Sequence, residues 1–208
     1  MGIPEKIVLE VPLMLQSYDL TCEAISAAMI AEYYEYELPD ANDSDQEYQS
    51  WEDYFMKVIE PDPNPHLGFR GDIYGRMSTY DNVEGYGYGV YAEPIHKALT
   101  EVGYDAEVKY GVDYDDIEND LRSGNPVILW VSSQRTPAET VQIEDKDVRL
   151  IYGEHAWVVL GVQGYGNNRK FLVNHSVYNK QYWKRDFIRW GDFQNEDGVG
   201  GMRVIVRS

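Results

Sequence analysis

The residues best equipped for chemistry are one thiol, one imidazole and two amides. Cys22 is the only cysteine in the chain. That excludes an internal disulfide framework and any cysteine-rich zinc site, and leaves either a buried small hydrophobe or a reactive group. An unperturbed thiol, with a pKa of about 8.5, is only a few per cent ionised at neutral pH, so a cysteine nucleophile needs electrostatic help. Residues 20–36 have the composition of a helix, with Ala, Ile, Met and Leu at three- and four-residue intervals, Asp19 as N-cap and Glu23 in the first turn. Cys22 then sits where unpaired N–H groups and the positive end of the helix dipole favour a thiolate. The same apolar neighbours also suit a structural thiol.

Gln16 precedes Cys22 in QSYDLTC, where a loop turning into the helix can bring its side-chain amide beside the Cys22 N–H. Two such donors make an oxyanion hole for the tetrahedral intermediate of acyl transfer. His155 opens a strongly apolar strand in GEHAWVVLGV, at a sheet end facing a cleft. Asn174, in FLVNHS on the next strand, offers a carbonyl that would accept from the imidazole and fix its tautomer. In a hairpin centred on GYGNN the two are not directly opposite, so a bulge or twist near Gly161 or Gly164 must bring them together. His175 should point to the opposite sheet face from Asn174 because strand side chains alternate, and His96 lies on a short helix. Both read as structural or surface residues. His66, with Gly68 and Phe69 in PNPHLGFRGD, is placed to line the cleft, since a glycine-flanked loop lets a substrate backbone approach.

The elements that must position these residues divide the chain in two. The pattern predicts a short strand over 7–11, the helix over 20–36, an acidic helix from about Ser44 to Ile59 and a Pro- and Gly-rich loop after it. Residues 71–91 read as a long loop full of Gly and Tyr, its EGYGYGVY segment serving as packing or as a cleft wall. Two short helices follow, AEPIHKALTEVG and DYDDIENDLRSG, with AEVKY between them as a strand. From Pro126 the runs PVILWVS, TVQIE, VRLIY, HAWVVLGV, KFLVNHS and MRVIVR predict an antiparallel sheet. The expectation is one α+β domain over 1–208, with a helical part over about 12–125, a β-rich part over about 126–208 and a cleft between.

At 208 residues the chain suffices for one sizeable core. Its formal charge of −18 repels phosphate backbones and anionic membranes, so nucleic acid is not an expected partner. No apolar run approaches the roughly 18 to 20 residues of a membrane span. The segment DANDS at 40–44 is like the start of a calcium loop but is followed by neither the glycine nor the bidentate Glu, so no metal or cofactor is assigned. The start MGIPEKIVLEVP has no signal-peptide pattern, which suits a cytosolic protein and equally an exported domain without its leader.

Taken in order, VPLMLQSYDLTCEAISAAMIAEYY, PNPHLGFRGD, YGVYAEPIHKAL, NPVILWV and GEHAWVVLGV resemble the bacterial cysteine peptidases of the bacteriocin-processing, double-glycine-peptidase-like family, which share the papain-like fold. The resemblance implies Cys22 as nucleophile, His155 as base, Gln16 as oxyanion-hole donor and Asn174 as orienter, where the family more often has Asp. It also implies a peptide or protein substrate and a secreted or cell-surface location. Bacteriocin-processing members are fused to a membrane transporter, and no such segment stands in this chain. Two other functions stay open: an acyl or amide transferase on the same residues, and a non-catalytic peptide-binding surface module.

Overall fold

A helix without a polar face is stable only when it is surrounded. Helix α1, Cys22–Tyr33, is of this kind: every residue from Cys22 to Ala31 is buried. Large side chains such as Ile25, Met29 and Ile30 each contribute roughly 1.5–3 kcal/mol of burial. The computed structural model describes residues 6–39, 47–78, 84–111, 113–135 and 138–207. The acidic stretch at 40–46, with its calcium-loop likeness, lies outside them.

The N-cap of α1 is Thr21, not Asp19. The chain makes a turn first, closed by Thr21 N–H on Tyr18 C=O, so Asp19 and Leu20 precede the helix. Left-handed Glu35, with φ 55°, ends it. Helix α2, Trp51–Val58, begins well after the expected Ser44: the Ser50 hydroxyl accepts from Asp53 N–H and fixes its start. The stretch expected to be a loop at 71–91 carries a small three-stranded sheet of β2 (Arg70–Gly71), β3 (Arg76–Met77) and β4 (Tyr86–Gly89). Its strands are short, two of them only two residues long, and rich in Gly, which is depleted in strands, so the Tyr–Gly alternation of β4 reads as loop.

Helices α3 (Ala92–Glu101) and α4 (Tyr114–Arg122) flank strand β5 (Asp105–Lys109), as expected. The main sheet runs in the order β11 (Lys180–Lys184), β10 (Lys170–His175), β9 (Glu154–Gln163), β6 (Val127–Ser132), β12 (Arg203–Arg207), β5, and β1 (Ile7–Val8) also pairs with β9. The pairings are antiparallel. Strands β7 (Glu139–Ile143) and β8 (Lys146–Leu150) form a separate ribbon, turned at Glu144 and Asp145, both with positive φ.

Strands β6, β9 and β12 are apolar on both faces because both are covered. One face packs α1, through Ile128, Trp130, Ala156, Val158, Leu160 and Leu172. The other packs Ile117 and Leu121 of α4 and Phe187 and Trp190 against Leu129, Trp157, Val159 and Val173. Between β9 and β10 the register slips at Leu172/Val173. Phe171 pairs with Val162 and Leu172 with Gly161, but Val173 pairs with Val159, so Leu160 is the extra residue of a bulge.

Candidate active site

Cys22 heads α1 and is fully enclosed, with 1% exposure. Its Sγ accepts from Ala156 N–H at 3.4 Å, so the sulfur is seated on the peptide unit that joins His155 to Ala156. The thiol itself donates to Glu23 Oε2 at 3.1 Å. The imidazole of His155 is not among the described hydrogen-bond partners of the sulfur.

Glu23 and Glu154 complete a buried acidic group. Glu23 Oε1 accepts from Val90 N–H at 2.7 Å, while neither carboxyl oxygen of Glu154 meets a donor from outside the pair. Gly89 makes the room: a Cβ there would overlap Glu23 Oε1 and lie 3.0 Å from Glu154 Oε2, and φ is +121°. Burial pushes the Cys22 thiol well up, and the Glu23 and Glu154 charges push it further. Burial raises Glu23 to about 7, and burial together with Glu23 raises Glu154 well above the usual carboxylate range. Among the described residues, Cys22, Glu23 and Glu154 bring three possible metal-ligating atoms within 4.8 Å of one another. A cation there would occupy the sulfur, whereas a proton held between the carboxyls relieves the same repulsion and leaves the sulfur free.

His155 and Asn174 do not meet. The His155 ring lies on the far face of the sheet from α1, against Trp157 and His175, with its Nε2 3.3 Å from His175 Nδ1. Asn174 points toward α1, donating to Pro12 C=O at 3.0 Å and to Met29 Sδ, and accepting from Gln181 Nε2 at 3.0 Å. The expected bulge is present, but its effect is the reverse of the one anticipated. Counted without interruption from the Phe171–Val162 pair, His155 and Asn174 would share a face; the extra Leu160 flips the first half of β9, so His175 takes that place. Burial holds both imidazoles neutral, lowering His155 to about 3, with His175 adding to the effect, and His175 to about 4, with Lys184 adding.

Gln16 lies in the loop before α1, with its amide donating to Tyr18 C=O at 2.7 Å and Asp19 C=O at 3.2 Å. Its carbonyl accepts from Ser176 Oγ at 2.7 Å, and its backbone N–H donates to Ser176 C=O. The loop is also tied to Glu52 of α2, which receives Ser17 N–H, Ser17 Oγ and Thr21 Oγ1. His66 is bound to Glu93 at 2.9 Å and stands edge-on to Tyr91. It lines a hollow with Asn64, Arg149 and Glu196. Phe69 is buried, and a Cβ on Gly68 would overlap Glu60 C=O. None of these three has a described contact with Cys22 or His155. His96 is held by Ala106 C=O. Glu52, Glu154 and the role of His175 escape sequence reasoning, because nothing in their spacing announces them.

A cysteine at the head of a buried helix, resting on a strand whose second residue is a histidine, within an α+β fold, defines the architecture of a papain-like peptidase. The chain belongs to the Peptidase_C39 like family, whose model matches residues 8–197. Its fold is similar to that of a C39-like peptidase from Bacillus anthracis, itself only provisionally assigned. The TM-score is 0.72 at 20% identity, covering 98% of each chain. No curated protein matches the sequence. Among the described residues no helix is long and apolar enough to cross a membrane.

Proposed function

We propose that the protein is a cysteine peptidase-like hydrolase that cleaves a peptide or isopeptide bond through a Cys22 thioester. The observation that carries this reading is the seat of the thiol, with Sγ on the His155–Ala156 peptide at the head of a 12-residue helix. For the thiol proton to reach His155 the imidazole must turn from the far face of the sheet toward the sulfur as substrate binds; that transfer gives the thiolate that attacks the carbonyl carbon. The oxyanion is received by the Cys22 N–H and by Gln16, which exchanges one of its bonds to Tyr18 or Asp19 for the substrate oxygen. His155 then protonates the leaving amine, and water activated by the same imidazole hydrolyses the thioester.

In the resting state His175 replaces Asn174 as the group that fixes the tautomer of His155. With Nε2–H of His155 donating to His175 Nδ1, Nδ1 of His155 is left as the base. A neutral imidazole adds no negative charge to stabilise an imidazolium. The resting thiol is therefore protonated on Glu23, and transfer to His155 accompanies substrate binding.

Profiling on peptide libraries and purified peptidoglycan identifies the scissile bond, and Cys22→Ala and His155→Ala should abolish the cleavage while keeping the thermal midpoint. Full activity in Cys22→Ala sinks the assignment. Amine adducts formed in the presence of added amines would make the enzyme a transferase. The thiol's bond to Glu23 favours one other reading, a non-catalytic peptide-binding module. Failure of iodoacetamide to label Cys22, with no turnover, would decide for that module. The secreted or cell-surface location belongs to the same proposal and is tested by fractionating cells that express the protein.

A further inference from the structure

Both oxyanion donors in the proposed mechanism flank one short loop, Gln16 at its start and the Cys22 N–H at its end. Ser17, Tyr18 and Asp19 are exposed and belong to no helix or strand, so the loop's shape must come from elsewhere. Glu52 supplies it. This carboxylate is 6% exposed; its Oε1 accepts from Ser17 N–H at 2.9 Å and Thr21 Oγ1–H at 2.6 Å, and its Oε2 from Ser17 Oγ–H at 2.6 Å. Hydrogen bonds to an ionised acceptor are the strong ones, and three converge here.

The bond from Thr21 has a second effect. An N-cap threonine ordinarily turns its oxygen onto a first-turn amide of its helix. Thr21 is the N-cap of α1 and makes no such bond. Its hydroxyl is drawn to Glu52 instead and its oxygen accepts from Tyr18 N–H at 3.3 Å, so Thr21 is held in the turn before α1 and its side chain stays off the first-turn amides next to the Cys22 N–H.

We infer that Glu52 is a positioning residue for the oxyanion site, fixing the loop between Gln16 and Cys22 and holding Thr21 off the head of α1. The inference rests on the hydrolase reading. A displacement of about 1 Å in such a donor set costs on the order of a hundredfold in rate.

The test uses the peptide cleaved fastest in the library and follows kcat, KM, thermal midpoint and the rate of Cys22 alkylation by iodoacetamide, which forms no oxyanion. Glu52→Ala should lower kcat by roughly ten- to a hundredfold and leave KM and the alkylation rate within about threefold. Glu52→Gln, which keeps an acceptor for Ser17 N–H, should fall between it and the parent. Thr21→Val, isosteric, should lower kcat several-fold and carries the test if Glu52→Ala does not fold. Parental kcat in folded Glu52→Ala, or in Thr21→Val, overturns the inference. So does an alkylation rate that falls in step with kcat, which would mean that Cys22 itself had moved. Cys22-dependent turnover in the parent alongside an unimpaired Glu52 variant refutes this inference alone; its absence in the parent refutes the hydrolase reading and this inference together.

Discussion

The acidity of Cys22 can be tested by removing its nearest charge without changing the shape of the site. Glu23→Gln keeps the bond from Val90 N–H, because the amide carbonyl accepts as Oε1 does, and turns an N–H toward the sulfur. A carboxylate 3.1 Å from a thiolate costs about 5 kcal/mol at an effective dielectric of about 20, or roughly 4 pK units. Glu23 titrates at about 7 in the folded protein, so it is charged throughout the alkaline range in which the thiol ionises. Burial and Glu154 remain in the variant and keep part of the elevation. The rate of iodoacetamide alkylation, followed against pH for the parent and the variant, reads the thiolate fraction directly. Its midpoint should fall by roughly 2 to 4 pH units in Glu23→Gln. An unchanged or higher midpoint would show that no charge on Glu23 bears on the sulfur, and the account of the buried acidic group would fail.

The raised pKa of Glu154 means that the folded state holds more protons than the unfolded chain above the ordinary value of 4.5. Its stabilising contribution is therefore present at low pH and is lost as the pH rises toward the folded value. The thermal midpoint should decline from pH 5 toward alkaline pH, and Glu154→Gln should flatten that decline; parallel curves would refute it. His175→Asp should raise the pKa of His155, the neutral base of the resting enzyme, and so move the acid limb of kcat/KM upward, whereas Asn174→Asp should not. Asn174→Leu strands Pro12 C=O and Gln181 and should cost about 1–3 kcal/mol of stability in denaturant titrations. A collapse of kcat at parental stability would instead return Asn174 to the imidazole. Gln16→Ala should lower kcat about a hundredfold with little change in KM, and a change in KM alone would place Gln16 in substrate binding.

The order of elements was legible because apolar runs and Gly or Pro stops mark them. The helix headed by Cys22, the strand that carries His155 near its start and the antiparallel sheet stand where pattern places them, except that TVQIE and VRLIY form a ribbon of their own. The partner of His155 was not legible, since it depends on a single inserted residue, Leu160, whose bulge changes the face of everything before it in β9. A bulge costs nothing in composition and leaves no period. The burial of Glu23 and Glu154 was not legible either: Glu23 reads only as a first-turn acid and Glu154 only as the neighbour of His155, and the room for both comes from Gly89, far away in sequence. The small sheet at 70–89 leaves little trace because two of its strands have two residues each, and the Tyr–Gly alternation of the third is spelled in a residue that is depleted in strands.

The loop at 16–21 is anchored from two sides, to α2 through Glu52 and to the end of β10 through the paired bonds of Gln16 with Ser176. Exposed loops ordinarily fray at little cost and exchange their amide hydrogens through small local openings. This one cannot detach at either anchor without exposing a buried carboxylate or breaking a link to the main sheet. The Ser17 amide, though in a surface segment, should therefore exchange on the timescale of the core strands. Catalytic competence should disappear in the same cooperative transition as the fold, with no intermediate that is folded but has lost its loop.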